Sequence, residues 1–255
     1  GNGLVSSKPA ETALQPRRLN SLGAICPQPL LVRRSPDGSM AICTSRLPGQ
    51  RRRKIPGDRA LAALAWLARL HAAHWGPRAA AAAGDGLHPQ GCFWTLAFRQ
   101  HELQRLPLRG LRGRLRLAAE GLDARMAADA TQTLCHGDAK DTNMLFRPDG
   151  SVALCDFQWT GRAAATKDVA YCIICATGPL GDGEEESLFG HYGRELARLA
   201  VCDLARWMAG CEYGWWGHRR LLRRHAEAVL AELDGGQALS SPEAYIAAVF
   251  ERFPP

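Results

Sequence analysis

The feature of the sequence that most constrains its fold is a tight-hairpin signal with a polar residue at each open end. The turn sequence Pro148-Asp149-Gly150 separates two short apolar runs, 144–146 and 152–155. Proline presets φ and glycine tolerates positive φ, so we expect the two runs to pair as a hairpin. Asn143 precedes the first run and Asp156 follows the second. We therefore predict that their side-chain oxygens lie within about 6 Å of each other, close enough to share one Mg²⁺ ion.

A further acid lies just upstream of this hairpin signal. Asp138 follows His136 and Gly137, and Asn143 comes five residues after it. Phosphoryl transfer requires a carboxylate near the accepting hydroxyl and oxygen ligands that hold Mg²⁺ on the phosphates. The spacing His-x-Asp-x-x-x-x-Asn followed by a second Asp is that of a kinase catalytic loop. The alternative is a hairpin with ordinary surface acids, which would have no reason to keep this spacing.

The motif block resembles one branch of the kinase superfamily. H-G-D-x-x-x-x-N followed by D-F-Q at 156–158 is similar to the aminoglycoside phosphotransferase and choline kinase group. D-F-Q itself is more similar to the ecdysteroid-kinase-like (CHK kinase-like) members, and the segment 167–171 matches the D-[LV]-A segment of that family. The specific resemblance covers 134–171, and a weaker similarity extends over about 30–216.

The resemblance implies ATP- and Mg²⁺-dependent phosphorylation of a hydroxyl on a small molecule. Asp138 would orient or deprotonate the acceptor, and Lys140 would stabilise charge on the phosphoryl group in transfer. Asn143 and Asp156 would bind Mg²⁺. The acceptor cannot be derived from the fold, because fold does not determine substrate.

The same resemblance implies an α+β, protein-kinase-like fold. A truncated β-rich N-lobe and hinge would occupy 1–48, and a mainly helical C-lobe with the catalytic loop would occupy 49–255. In such a fold the backbone of a hinge at Ser45, Arg46 and Leu47 holds adenine. His136 and Asp168 would brace the catalytic loop rather than react.

Short strands and helices are predicted along the rest of the chain. Two strand candidates, 30–34 and 40–44, flank a second Pro-Asp-Gly turn. Apolar residues recur at helical spacing over 58–75, at Leu61, Leu64, Ala65, Ala68, His71 and Ala72. We expect a surface loop over 77–91, while 92–98 fits either a strand or a helix start.

The N-terminal part of the chain presents the main difficulty. No glycine-rich phosphate loop is recognisable before the hinge, and the only lysine there, Lys8, has no strand around it. The Lys–Glu pair that grips the α- and β-phosphates is therefore not visible. Either the kinase is N-terminally incomplete or its N-lobe is naturally reduced. The competing function is that of a non-catalytic remnant, a pseudokinase or truncated product used for binding or assembly. Either way, we expect weak nucleotide affinity for the chain as given.

The net charge of +7 invites a comparison with nucleic-acid-binding proteins. No helix-turn-helix or aromatic RNA platform accompanies that charge, so we expect no nucleic-acid partner. Two dense basic patches lie at 51–54 and 219–224. Each is either a solvated surface or a means of attracting an anionic substrate, nucleotide or surface.

Cysteine usage and hydropathy bear on the compartment. The nine cysteines show no framework spacing, and we expect Cys172 and Cys175 to be buried and unbridged. No apolar run approaches the roughly 18 residues that a membrane span needs, and no signal-peptide pattern is present. We therefore expect a cytoplasmic protein that has no membrane partner.

Overall fold

The computed structural model describes residues 16–37, 39–84, 87–180, 183–190, 194–211 and 220–254. Lys8 lies outside these residues. The strands are β1 (Pro29–Arg34), β2 (Met40–Thr44), β3 (Gln132–Cys135), β4 (Met144–Phe146), β5 (Val152–Leu154) and β6 (Gly161–Ala164). The helices are α1 (Pro16–Ser21), α2 (Gly57–Ala73), α3 (Pro77–Gly84), α4 (Gln100–Gln104), α5 (Gly110–Ala128), α6 (Thr166–Tyr171), α7 (Glu184–Gly190), α8 (Arg194–Gly210), α9 (Arg220–Asp234) and α10 (Pro242–Arg252).

The described strands form three separate two-stranded antiparallel sheets, β1–β2, β3–β6 and β4–β5. Both strand pairs predicted from Pro-Asp-Gly turns are confirmed: Val32 lies opposite Ile42, and Leu145 lies opposite Ala153. The mixture of small sheets and many helices confirms the α+β class. None of the helices in the described residues is long and apolar enough to cross a membrane.

The long helices of the C-terminal half form the main helical layer. Helix α5 packs against both α8 and α10, and α9 packs against α8. Leu122 of α5 and Tyr245 and Val249 of α10 are completely buried. Each such side chain contributes about 1.5–3 kcal/mol by leaving water. Helix α10 begins with a side-chain cap, since Ser241 Oγ accepts a hydrogen bond of 3.3 Å from the Ala244 N–H.

Helix α2 forms where expected but buries a different face. The helix spans Gly57–Ala73, and its core side is made by Trp66, Leu67 and Leu70, all fully buried. Leu61, which the predicted stripe included, is 43% exposed. The helix is apolar on most sides, so its largest side chains determine which face enters the core. The stretch 77–91 also differs from the predicted loop, because Pro77–Gly84 is helical.

A buried charge cluster joins α6 to α8. Lys167 Nζ lies 3.3 Å from Asp203 Oδ2 and 4.5 Å from the centre of the Trp94 ring. Arg206 Nε donates to Asp203 Oδ1 at 3.0 Å. Burial lowers the pKa of Lys167, but Asp203, Cys92 and Asp123 together outweigh it, so the net shift of that pKa is upward. The lysine therefore stays charged, and replacing Asp203 with a neutral residue would leave a buried positive charge without its nearest carboxylate.

Candidate active site

The β4–β5 hairpin places Asn143 and Asp156 at the same end of one small sheet. Met144 pairs with Leu154, and the Cys155 N–H donates to the Asn143 carbonyl at 3.0 Å. Asp156 follows directly in the chain. The two backbones are thus adjacent as expected, while the separation of the two side-chain oxygens stays a prediction.

Asp138 is buried, and its two carboxylate oxygens have different surroundings. Oδ2 accepts hydrogen bonds from Lys140 Nζ at 2.6 Å and from Asn143 Nδ2 at 3.0 Å. Oδ1 is also buried but has no partner in hydrogen-bonding geometry within the described residues. A buried acceptor without a partner costs about 1–3 kcal/mol. Oδ1 therefore keeps its capacity to accept a hydrogen bond, and the acceptor-orienting role of Asp138 stays a prediction.

The residues at the end of the hairpin suit a hard divalent cation. Asn143 Nδ2 also donates to the Asp138 backbone carbonyl at 2.9 Å, which fixes the amide and leaves its Oδ1 as a potential ligand. Asp156 is half-buried and adopts φ 69°, a left-handed conformation that is unfavourable for a non-glycine residue. Such conformations cost about 1–3 kcal/mol and concentrate at functional sites. A carboxylate and an amide oxygen are ligands that Mg²⁺ accepts, so these residues fit the implied ion.

Asp168 holds the start of the catalytic loop. Its Oδ2 accepts the His136 N–H at 2.5 Å and its Oδ1 accepts the Gly137 N–H at 2.8 Å. His71 Nε2 of α2 lies 3.2 Å from Oδ2, and Asp168 itself is completely buried. Gly137 has φ 86°, and a Cβ there would lie 2.2 Å from the Trp159 carbonyl oxygen, so only glycine fits. The loop geometry that presents Asp138 therefore depends on contacts from two helices.

His136 connects the catalytic loop to the hairpin. Its Nε2 lies 3.1 Å from the Cys155 carbonyl oxygen, and its ring packs against Phe157 at 4.7 Å between centres. Burial lowers the pKa of His136, although the nearby Asp168 and Asp138 act in the opposite direction. His136 is thus a neutral support for the loop, which matches the bracing part expected of it.

A second cluster could be mistaken for a metal site. Potential ligand atoms of His71, Cys135 and Asp168 all lie within 4.8 Å of one another. Both oxygens of Asp168 already accept main-chain N–H groups, and the Cys135 thiol donates to the Ala164 carbonyl at 3.3 Å. Burial raises the pKa of Cys135, which disfavours the thiolate that a metal requires. The cluster is better explained as support for the loop.

Tyr171 is a site residue that the sequence analysis did not single out. It is buried beneath the site, stacked on Trp94 at 6.5 Å and edge-on to Phe93 at 5.6 Å between ring centres. Burial raises its pKa well above 10, and the neighbouring Cys175 and Asp138 add to the shift. The phenol therefore stays protonated beside Asp138. Its position at the end of the 167–171 match was the one available signal.

The expected unbridged state of Cys172 and Cys175 is confirmed. Both side chains are buried, and neither takes part in a disulfide. They belong to the π-helical turn Cys172–Ala176, whose side chains are all buried. Burial raises the pKa of Cys172, so it acts as a small apolar group.

The predicted hinge follows β2 in the chain and leads to Gln50, which pairs with Phe146 of β4. Ser45 is paired with Gln28: its N–H donates to the Gln28 carbonyl at 2.8 Å, and its Oγ accepts the Gln28 N–H at 2.9 Å. The Ser45 N–H is therefore not available to a nucleotide. Arg46 is exposed and Leu47 is half-buried. Adenine binding by Ser45, Arg46 and Leu47 stays a prediction, with the last two better placed to contribute.

Comparisons with known proteins agree with this geometry. A model of a phosphotransferase enzyme family matches residues 5–243. No curated protein matches the chain. A GDP complex of a point mutant of aminoglycoside 2'-phosphotransferase-IIIa is 16% identical with a TM-score of 0.58, and the match covers 89% of this chain and 83% of that one.

Two further solved structures give similar results. A choline/ethanolamine kinase family protein from Mesorhizobium loti is 16% identical with a TM-score of 0.54, covering 94% of this chain and 84% of its own. An aminoglycoside phosphotransferase from Alicyclobacillus acidocaldarius is 17% identical with a TM-score of 0.53, covering 97% and 85%. At these identities the likeness shows the fold, which is kinase-like as the sequence predicted.

Proposed function

Because this chain belongs to the phosphotransferase enzyme family, we propose that it transfers the γ-phosphoryl group of ATP to a hydroxyl of a small molecule. One observation supports this most: the buried Asp138 Oδ1 lacks a partner, while Oδ2 is fixed by Lys140 and Asn143. A carboxylate that is fixed through one oxygen and keeps the other without a hydrogen-bond donor suits the binding of an acceptor hydroxyl.

Four side chains have separate roles in the proposed reaction. Asp138 orients the acceptor hydroxyl and receives its proton. Lys140, whose ammonium lies 2.6 Å from Asp138 Oδ2, is close enough to the reacting groups to meet charge that develops on the transferred phosphoryl group. Asn143 and Asp156 would hold Mg²⁺, which supplies charge neutralisation on the phosphates.

The branch of the family, the phosphoryl donor and the compartment are also part of the proposal. The D-F-Q sequence at 156–158 supports the ecdysteroid-kinase-like branch of the family. The solved relatives include GDP complexes, so both ATP and GTP are candidates for the phosphoryl donor. We place the protein in the cytoplasm, with a small-molecule acceptor and with neither a nucleic-acid nor a membrane partner.

A non-catalytic remnant is the second candidate. The observation in its favour is the small N-terminal sheet: ahead of the hinge, the described residues provide only the strands β1 and β2. The sequence of that described part, 16–44, contains no lysine and no glycine-rich phosphate loop. A remnant used for binding would need neither.

The proposal is tested by phosphorylation assays on the purified chain. MgATP and MgGTP are offered with a panel of small alcohols and amino alcohols, and phosphomonoester products are measured by mass spectrometry. We expect product with at least one acceptor and none when EDTA removes the cation. If no acceptor is phosphorylated and no Mg²⁺-dependent nucleotide binding is measurable, the proposed activity fails for this chain and the remnant reading gains support.

A further inference from the structure

The basic segment Arg51–Lys54 leaves the hinge and lies directly beside the catalytic hairpin. Gln50 pairs with Phe146 of β4 through two main-chain hydrogen bonds, each of 2.9 Å. Gly49 has φ 132°, and a Cβ there would lie 3.0 Å from the Phe146 carbonyl oxygen. The backbone that leads into the segment is therefore pressed against β4, the strand that starts immediately after Asn143.

Asp141 of the catalytic loop anchors the other end of this segment. Its Oδ2 accepts the Lys54 N–H at 3.0 Å and lies 3.4 Å from Arg53 Nε. Asp141 is itself buried. The segment is thus attached to the catalytic loop at one end and to β4 at the other, and its position relative to the site is fixed.

The charge of Arg51 is not balanced within the described part of the chain. Neither Arg51 nor Arg52 has an ion-pair partner there, and Arg52 Nη2 instead donates to Gln50 Oε1 of the same segment at 3.0 Å. The Arg51 guanidinium lies within hydrogen-bonding reach of the Cys155 side chain. Cys155 precedes Asp156, so Arg51 reaches the end of the hairpin where a nucleotide's phosphates would be held.

We propose that Arg51 binds the phosphate groups of the nucleotide and supplies the cation that kinases otherwise provide from a lysine of the N-lobe. This inference rests on the proposed function. The described chain ahead of the hinge offers no lysine for that task. A guanidinium matches phosphate oxygens in pairs, and it keeps its charge at any physiological pH. A guanidinium beside Cys155, without an ion pair in the described residues, lowers the free energy of bringing a polyanion to this end of the hairpin.

Arg51→Gln tests the inference, with Arg52→Gln as the matched control. The two residues are adjacent, both are exposed, and each change removes one positive charge. Isothermal titration with MgATP, MgGTP and adenosine gives the affinities. Charge-assisted hydrogen bonds of this kind correspond to a loss of roughly tenfold to hundredfold in affinity. We expect that loss for the nucleoside triphosphates with Arg51→Gln, unchanged adenosine binding, and changes under about twofold with Arg52→Gln.

Each other outcome has a definite meaning. Unchanged triphosphate affinity in Arg51→Gln overturns the inference, and so does an equal loss in Arg52→Gln, which would indicate a general field effect. An equal loss of adenosine binding would show that Arg51 holds the nucleoside, and would also overturn it. If the unmodified chain binds neither triphosphate, the proposed function itself fails. Arg51→Lys should recover part of the affinity, and matching thermal unfolding of all variants shows that the fold is intact.

Discussion

The two Pro-Asp-Gly hairpins of this protein share their turn chemistry but differ in their surroundings. In each turn the aspartate Oδ1 accepts the N–H of a serine two residues on, at 2.9 Å from Asp37 and 3.0 Å from Asp149. In β1–β2 the apolar side chains are exposed, with Leu31 at 62%. In β4–β5 Met144 and Leu154 are completely buried.

The comparison shows that the turn sequence determines where a hairpin forms. Packing against the rest of the protein determines whether the residues at its end are held in position. The β4–β5 hairpin is enclosed: its Leu154 N–H donates to the Ile25 carbonyl at 3.1 Å, and Trp66 Nε1 of α2 donates to the same carbonyl at 2.9 Å. His136 adds a contact from the catalytic loop. These contacts hold the residues proposed for catalysis in place without a ligand, and such preorganisation is what electrostatic catalysis requires.

The largest effect should come from removing the acid at the end of the buried hairpin. Asp156→Ala removes a cation ligand, so we expect Mg²⁺-dependent nucleotide binding to weaken and turnover to fall together, whereas losing a base alone would lower only the rate. Asp37→Ala, in the exposed hairpin, should leave both unchanged. The measurement is a nucleotide titration at several Mg²⁺ concentrations, together with initial rates of turnover.

A second change breaks the support of the catalytic loop. Asp168→Ala leaves the N–H groups of His136 and Gly137 buried without acceptors, at a cost of about 1–3 kcal/mol each in the free energy of unfolding. Turnover should fall as well, because the loop that presents Asp138 loses its anchor. Urea denaturation measures the stability. The control is Asp149→Ala, an exposed turn residue, which should change stability by at most about 1 kcal/mol.

A matched pair of methionines compares the packing of the two hairpins directly. Met144 begins β4 and is completely buried, and Met40 begins β2 and is 38% exposed. Met144→Ala should lower the free energy of unfolding by about 2–5 kcal/mol through lost burial and a new cavity. Met40→Ala should change it by about 0.5 kcal/mol or less. Equal losses in the two variants would mean that β1–β2 is as well packed as β4–β5.

The smallest effect concerns pH. Because burial lowers the pKa of His136 in the folded protein, the unfolded chain binds its proton more readily. Stability from this residue is complete above the ordinary histidine pKa of about 6.5 and is lost as pH falls through the lower folded pKa. Denaturation curves between neutral and mildly acidic pH should show a steeper loss for the unmodified chain than for His136→Gln. Parallel curves would exclude this source of pH dependence.

Much of the local structure follows from the sequence because its causes are local. Both hairpins, 30–34 with 40–44 and 144–146 with 152–154, were predicted from turn residues that fix their own backbone. The position of α2 was also predicted closely. Its core face was not, because a helix apolar on most sides leaves periodicity unable to choose between Leu61 and Trp66.

The parts of the site that were not predicted depend on long-range contacts. His71 meets Asp168 across 97 residues of chain, and Lys54 meets Asp141 across 87. Rules based on residue spacing do not predict contacts between residues that are so far apart in the chain. The left-handed backbone at Asp156 was also unexpected, because sequence rules assign positive φ to glycine first. The motif therefore predicted the candidate reacting residues, whereas the residues that contact and position them became known only from the fold.

The central claim, that Asp138 serves phosphoryl transfer, is tested most directly by ³¹P NMR of the reaction with Asp138→Asn. This change keeps the shape of the side chain but removes the charge that accepts the proton. With an acceptor found in the panel, we predict that transfer from the γ-phosphate slows about 10²–10⁴-fold, with nucleotide affinity and unfolding temperature unchanged. Asp149→Asn, the same substitution in the exposed turn, should transfer at the unmodified rate. Undiminished transfer by Asp138→Asn would contradict the account.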